Sequence, residues 1–270
     1  MTIPLRHSSK VPILMYHSVS KVPEREKRIR NTNPAYSLSV SQFSEQMHYS
    51  HENHYRTLSL NELIDPTGNR HLKGVVITFD DGLANNYTNA FPILKKLNLT
   101  ATIFVITHSI GNSQYLEWNQ LREMEGEGVS IQSHTVTHRP LVGLKNDQMR
   151  YELDGSKKCI EDHLGSRVDF LSVPHGMIDR KVIEVAQAVG YRGVCTSEPG
   201  FSHAYGDPTI LKRISISDSC DISTFKKIIE ANHLLILPII MSKKIKNLTK
   251  KLLGYDNYRK IYHVRYRIKK

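Results

Sequence analysis

The chain has few cysteines and no long apolar run, the features on which disulfide-rich and membrane-spanning folds depend. Its 270 residues include three cysteines and one tryptophan. An odd number of cysteines without paired spacing argues against a disulfide framework and against a thiolate zinc site. No stretch approaches the roughly 20 apolar residues that a membrane-spanning helix needs. The first ten residues lack the apolar run of a secretory signal peptide, so we expect a cytoplasmic protein, either soluble or peripheral on the inner face of the membrane.

Positive charge is concentrated at the C-terminus. Residues 241–270 hold 11 of the 37 Lys and Arg residues but a single acidic residue, Asp256. Apolar side chains recur there at helical spacing, at Met241, Ile245, Leu248 and Leu252. A basic amphipathic helix of this kind is attracted to anionic lipid, but the apolar stripe can equally pack on the rest of the protein. We expect no nucleic-acid binding, because no recognisable motif accompanies the charge.

Apolar segments alternate with helical segments along the rest of the chain. The predicted strands are 13–16, 75–79, 101–106, 129–132, 168–173, 193–196 and 210–216. The predicted helices are 41–54, 86–97, 118–127, 146–164 and 179–189. This alternation predicts an α/β fold with a parallel sheet, either a barrel or an open doubly wound sheet, with its site at the carboxyl ends of the strands. We divide the chain into an N-terminal extension (1–10), one domain (11–232) and a basic tail (233–270).

Two acidic residues and two histidines stand where such a site is expected. Asp80 and Asp81 directly follow the predicted strand 75–79, where paired acids have little structural use. His134 and His138 are four residues apart, so on a helical turn they would face the same way and bind one ion, with Asp81 as a third ligand. The pattern indicates a metal-dependent hydrolase with an open position for water.

These motifs and their flanks resemble the polysaccharide deacetylases, the NodB-homology or carbohydrate esterase family 4 enzymes. Thr78-Phe79-Asp80-Asp81-Gly82 is similar to the family's first motif, and His134-Thr135-Val136-Thr137-His138 to its second. The likeness continues through Pro174-His175-Gly176 to Arg213-Ile214, over residues 11–230. It implies a distorted (β/α) barrel, one domain followed here by the basic C-terminal tail.

The resemblance also implies roles for individual residues. Asp81, His134 and His138 would bind a divalent metal, most commonly zinc, with cobalt or nickel possible, and Asp80 would be the general base. His175 lies in the third motif, where the backbone N–H helps to stabilise the oxyanion, and we count it among the catalytic candidates. Ser172 stands where the family often has an arginine that orients the base. The resemblance therefore leaves the orientation of Asp80 unexplained.

The family's final motif, Leu-x-His, which supplies the general acid, has no clear match in this chain. Arg213-Ile214-Ser215-Ile216-Ser217 lies at about its place and contains no histidine. A leaving amine needs a proton, so another donor is required. The candidates are His17, His175 and His203, of which we favour His17, in Met15-Tyr16-His17 at the end of the first long strand.

The resemblance implies removal of N-acetyl groups from an amino sugar in a polysaccharide or a lipid-linked glycan precursor. Two other hypotheses stay open. One is hydrolysis of an amide bond in a small non-sugar substrate, which a closed pocket would favour. The other is a glycan-binding homologue that is catalytically impaired, which the absent Leu-x-His motif favours and the intact Asp80 opposes.

Overall fold

A computed structural model describes residues 10–21, 36–65, 73–203 and 206–231, and seven positions of the tail: 237, 238, 240–242, 245 and 248. The chain divides into two compact units, Met1–Ala231 and Asn232–Lys270. None of the described helices is both long enough and apolar enough to cross a bilayer.

The first unit is built on a curled parallel sheet. The described strands are β1 (Lys10–Val11), β2 (Ile13–Tyr16), β3 (Ser18–Ser20), β4 (Ser37–Ser39), β5 (Arg56–Thr57), β6 (Gly74–Phe79), β7 (Thr102–Val105), β8 (Ser130–Ser133), β9 (Phe170–Ser172), β10 (Gly193–Cys195), β11 (Ser202–His203), β12 (Ile210–Leu211) and β13 (Ile214–Ser215). The order in the main sheet is β12-β10-β9-β8-β7-β6-β2-β13, with β5 beside the start of β6. Every described pairing in this sheet is parallel, as the alternation predicts.

One bent segment occupies both edges of the main sheet. β12 pairs with β10, and β13, two residues further on, pairs with β2 at the other edge. The backbone N–H of Ile216 extends this contact by donating to the carbonyl of Met15 at 2.9 Å. The predicted strand 210–216 is thus divided at Lys212 and Arg213, and the bend brings the two edges together. This is the distorted (β/α) barrel that the resemblance implies.

Helices cover the outside of the sheet. They are α1 (Val40–Glu52), α2 (Leu60–Ile64), α3 (Phe91–Lys96), α4 (Trp118–Gly126), α5 (Asn146–Leu164), α6 (Arg180–Val189) and α7 (Ile222–Ile229). A π-helical turn at Asn86–Ala90 leads into α3. Gly190 is the C-cap of α6 and has φ 97°, in the left-handed region that glycine adopts readily. The helix α7, absent from our prediction, begins at the N-cap Asp221 and buries Phe225 and Ile228.

The barrel interior is divided into an apolar layer and a polar layer. Alternate residues of a strand face the same side, so Val76, Phe170 and Leu211 in the apolar cluster are followed two residues later by Thr78, Ser172 and Arg213. These three polar side chains are fully buried. They lie toward the carboxyl ends of the strands, where the site was predicted. The polar layer therefore forms the floor of that site.

The described cysteines agree with the composition argument. Cys159, Cys195 and Cys220 are all free, and only Cys159 is partly exposed. The segment between residues 20 and 37 is flanked by a parallel pair of strands, β3 and β4. Residues 22–35 within it lie outside the described chain.

Candidate active site

Asp80 forms a buried, bidentate ion pair with Arg213. Arg213 Nη1 donates to Asp80 Oδ1 and Nη2 donates to Oδ2, both at 2.7 Å. Ser172 Oγ donates to Oδ2 at 3.2 Å and accepts from Arg213 Nη2 at 2.8 Å. The remaining donors of the guanidinium reach Thr78 Oγ1 at 3.2 Å and the carbonyl of Thr196 at 3.0 Å. All five N–H groups of this arginine are satisfied, which a buried guanidinium requires.

The ion pair keeps Asp80 ionised. Burial alone would raise the pKa of this carboxyl, but the charge of Arg213, the neighbouring His134 and the hydrogen bonds of the guanidinium outweigh burial and hold the pKa well below its usual range. Three hydrogen bonds use three of the approximately four lone-pair positions of the carboxylate. One position is left for a further donor.

Asp81, His134 and His138 converge into one cluster. One ligand atom from each lies within 4.8 Å of the others. Asp81 Oδ1 is 3.5 Å from His134 Nε2 and 3.6 Å from His138 Nε2. Two imidazoles and one carboxylate form a donor set that suits a catalytic zinc site. The side chain of His134 is 3% exposed and that of His138 29%, so the cluster opens to solvent on the His138 side.

A hydrogen bond fixes the tautomer of His134. Its Nδ1 lies 2.7 Å from the carbonyl oxygen of Ser172, which can only accept, so Nδ1 carries the proton and Nε2 presents its lone pair to the cluster. The same residue, Ser172, thus contacts the Asp80 pair through its hydroxyl and His134 through its carbonyl. It links the floor of the site to the ligand cluster.

The surroundings of the cluster favour the deprotonated forms of two of its three residues, His138 and Asp81. For His138, burial and then the neighbouring His134 lower the pKa to about 3. For Asp81, burial raises the pKa, but the close contact with His134 and the charges of the nearby imidazoles lower it to about 2. At neutral pH both residues are therefore ready to donate a lone pair.

The segment that carries the two histidines is a loop, so the prediction of a helical turn is wrong. Thr135 has φ 71° and His138 φ 60°, both in the left-handed region. The backbone N–H of His138 donates to Thr135 Oγ1 at 3.0 Å. Convergence of the imidazoles therefore comes from two left-handed residues within a tight loop rather than from helical periodicity.

The turn that carries Asp81 is held from the loop after β7. The N–H of Leu116 donates to the carbonyl of Gly82, and the N–H of Ala84 donates to Gln114, each at 2.9 Å. Gly82 has φ 68°, and a Cβ at this position would lie 2.9 Å from Val105 Cγ1. Glycine is required here by both the backbone conformation and the space available.

The three candidate acids lie in different surroundings. The His17 ring stacks on Tyr36 with centroids 4.6 Å apart, and its buried Nδ1 has no hydrogen-bond partner among the described residues. His175, with φ 59°, is exposed, and its ring centroid lies 4.8 Å from that of His138. His203 pairs with Lys10 in the β1–β11 ribbon, at the start of β2 rather than at its carboxyl end. The structure brings His175 to the cluster and places His203 away from it.

Comparison with known proteins decides the family. A polysaccharide deacetylase family model matches residues 67–194. The putative polysaccharide deacetylase YxkH of Bacillus subtilis is 34% identical over 231 residues, which cover 83% of this chain and 77% of YxkH. The chain belongs to the polysaccharide deacetylase family. Members of this carbohydrate esterase family hydrolyse acetyl groups of acetylated glycans and depend in general on a divalent metal.

Two further relatives match this chain over most of their length. The solved structure of the Streptococcus pyogenes deacetylase PplD, in complex with acetate, has a TM-score of 0.74 and 27% identity, and the match covers 82% of this chain and 99% of PplD. The poly-beta-1,6-N-acetyl-D-glucosamine N-deacetylase of Staphylococcus aureus strain MRSA252 is 26% identical over 232 residues, covering 76% of this chain and 78% of that enzyme.

The role of Arg213 in the site was not predicted from the sequence. The resemblance places the orienting arginine at 172, where this polysaccharide deacetylase has serine. In the structure an arginine from the bend between β12 and β13 binds the carboxylate of Asp80. A signal was present, because strand alternation puts Arg213 on the same face as Leu211, and a charged side chain facing a barrel interior needs a partner.

Proposed function

We propose that this polysaccharide deacetylase is a zinc-dependent N-deacetylase acting on an amino sugar in a polysaccharide or a lipid-linked glycan precursor. The observation that carries the proposal is the proximity of an ionised, arginine-bound carboxylate, Asp80, to a cluster of three metal-type ligands, Asp81, His134 and His138. The Staphylococcus relative is named for an N-acetylglucosamine polymer, which supports this class of substrate.

The residues divide the work of hydrolysis between them. Asp81, His134 and His138 would hold the metal, which when bound supplies Lewis-acid polarisation of the acetamide carbonyl and acidifies water. Asp80 accepts the proton of the attacking water at its remaining lone pair, while Arg213 holds it in place. Family resemblance assigns stabilisation of the oxyanion to the backbone N–H of His175.

His17 is our proposal for the group that returns a proton to the leaving amine. Burial lowers the pKa of His17, which favours the neutral ring at pH 7. His17 would therefore take up the proton that Asp80 removes from the attacking water and pass it to the leaving amine. Its Nδ1, which has no hydrogen-bond partner in the described part of the chain, supports this role. His175 is the alternative. Loss of turnover in His17→Ala, with His175→Ala retaining most of it, supports His17, and the reverse result assigns the role to His175.

The reaction is tested by release of acetate from N-acetylglucosamine oligomers. We expect release with added zinc, none with a chelator, and none from His134→Ala, which should also lose zinc because a ligand is removed. Undiminished zinc content in His134→Ala would refute the ligand assignment. Acetate release that is unaffected by the chelator would refute the metal dependence.

The two rival functions predict different results in the same experiment. Hydrolysis of small acyclic amides without release of acetate from oligomers would favour a small-molecule amidase. Binding of oligomers without turnover, at any zinc concentration, would favour a catalytically impaired glycan-binding protein. The intact Asp80–Arg213 pair opposes this last hypothesis, because binding alone has no use for a buried base.

We also propose that the tail attaches the protein to an anionic membrane surface, on its cytoplasmic side. Met241, Ile245 and Leu248 are helical and are 56%, 62% and 59% exposed. Their spacing aligns them on one helical face, and the chain around them carries most of the net positive charge. Leu252 and the rest of the predicted stripe lie outside the described residues.

Flotation with vesicles tests the tail. The full chain should float with anionic vesicles at low salt and be released as salt rises, since each basic residue near the surface contributes about 1 kcal/mol. Ile245→Asp with Leu248→Asp keeps the basic residues but interrupts the apolar face, so it should reduce flotation. If the full chain stays unbound at low salt, the proposal is wrong.

A further inference from the structure

The carboxylate of Glu152 is buried in the middle of α5, outside the ligand cluster. Its side chain is 2% exposed. An isolated buried carboxylate costs several kcal/mol, so a glutamate at such a position must be compensated by donors. The identity of those donors indicates what the residue does.

The described donors to Glu152 come from the loop that carries the two histidines. Oε2 accepts the backbone N–H groups of Val136 at 3.0 Å and Thr137 at 2.8 Å. Oε1 accepts the hydroxyl of Thr137 at 2.5 Å. Arg139 Nε lies 4.0 Å from Oε1 and adds a positive charge. The carboxylate therefore contacts the segment on both sides of His138.

This loop holds a backbone conformation that needs external support. Thr135 and His138 both have positive φ, a strained conformation for residues other than glycine. Such strain persists only when surrounding contacts over-determine it. The three charge-assisted hydrogen bonds to the buried carboxylate of Glu152 are contacts of this kind.

A second contact ties the same helix to the start of the loop. Ser156, one turn after Glu152, donates to the carbonyl of Glu152 at 2.8 Å, so the hydroxyl of Ser133 must be the donor in the 2.7 Å contact between the two serines. Ser133 Oγ then accepts the backbone N–H of Thr135 at 3.1 Å. The helix thus fixes the loop both before and after His134.

We propose that Glu152 is a positioning residue for the metal site: through the loop 136–138 it fixes the direction of His138 and thereby sets the metal affinity. This inference rests on the metal site proposed above. Groups behind a ligand that orient it typically change metal affinity or activity by about 10–100-fold when they are replaced. Glu152 should behave in this way although it touches neither ligand side chain in the described contacts.

The test is a zinc titration of Glu152→Gln against a competing chelator. Glutamine keeps the size and one oxygen but presents an amide where the second oxygen stood, so zinc should bind about 10-fold or more weaker, and turnover at low zinc should fall with it. The absorption spectrum of the cobalt form should change, because the ligand geometry relaxes. Excess zinc should restore part of the turnover.

Glu161→Gln is the matched control. Glu161 lies on the same helix, and its carboxylate accepts from Lys157 at 2.8 Å and from the backbone N–H of Val168 at 3.0 Å, away from the loop. It should bind zinc as the wild type does. If Glu152→Gln does not fold, Thr137→Val removes one of the three hydrogen bonds and should weaken zinc binding by a smaller factor.

The proposal is wrong if Glu152→Gln binds zinc as tightly as the wild type, keeps the same cobalt spectrum and is only less resistant to denaturant. Glu152 would then have a purely structural role. His134→Ala in the same titration separates the two proposals. If it loses zinc while Glu152→Gln keeps it, only the positioning role is wrong. If His134→Ala binds zinc normally, the site itself is wrong and the positioning role falls with it.

Discussion

The Asp80–Arg213 pair predicts a large effect for a conservative change, Arg213→Lys. The guanidinium donates all five of its N–H groups, to Asp80, Ser172, Thr78 and the carbonyl of Thr196. A lysine has three donors and no planar fork, so at least two acceptors lose their partner. At about 1–3 kcal/mol for each buried group left unsatisfied, we expect the free energy of unfolding to fall by about 3 kcal/mol.

The same change should raise the pKa of Asp80. Burial favours the neutral acid, and the bidentate guanidinium is the main group that opposes it. Each unit of rise corresponds to about 1.4 kcal/mol of lost interaction with the ionised form. The acid limb of kcat/KM that reports on Asp80 should therefore move to higher pH in Arg213→Lys.

Denaturant unfolding of the metal-free protein and a pH profile of acetate release measure the two effects. Arg213→Met leaves an unpaired buried carboxylate and should cost about 3–5 kcal/mol, while adding Asp80→Asn to it should recover part of that loss. If Arg213→Lys unfolds within about 1 kcal/mol of the wild type and its acid limb does not move, the pair does not have the role that we give it.

Two further predictions concern the neighbouring acids and pH. Asp80→Asn should keep zinc and abolish turnover, and Asp81→Asn should lose zinc; metal analysis showing the opposite pattern would exchange their roles. The pKa of His138 is about 3 in the folded protein and 6.5 for the free side chain. Between these two pH values the unfolded chain binds a proton at His138 and the folded chain does not. The metal-free protein should therefore lose stability as pH falls from 6.5 toward 3, by at most about 1.4 kcal/mol per pH unit for this residue. His138→Ala should show a shallower decline in denaturant titrations across that range; an equal slope would show that other groups cause it.

The sequence predicted the sheet better than the connections around the site. Six of the seven predicted strands each overlap one strand of the main sheet, because buried parallel strands are continuous apolar runs. The exception, 210–216, is apolar except at Lys212, Arg213 and Ser215, and it bends at Lys212 and Arg213 between the two edges of the sheet. Apolar periodicity does not predict such a bend, because it indicates which residues are buried and not the direction of the backbone.

The loop from His134 to His138 shows a different limit. Residues four apart suggest a helical turn, but the left-handed conformations of Thr135 and His138 depend on donors and acceptors far along the chain. Helix α7 is a different case, since an N-cap Asp221 followed by Ile222, Phe225 and Ile229 is a recognisable helix pattern that we did not use. The loop conformation could not be predicted from local sequence, whereas helix α7 could have been.

The adjacent carboxylates can serve one site because the backbone leaves the direction of strand β6 at Asp81. In a continuing strand, successive side chains point to opposite faces, so Asp80 facing the barrel interior would send Asp81 into the outer layer. Asp81 instead has φ 73°, and Gly82 follows with φ 68°, which turns the second carboxylate back toward the imidazoles. The buried ion pair with Arg213 keeps Asp80 ionised and able to accept a proton. Partial exposure beside His134 and His138 suits Asp81 for binding a cation. The division of labour between two identical side chains therefore follows from a single change of backbone conformation.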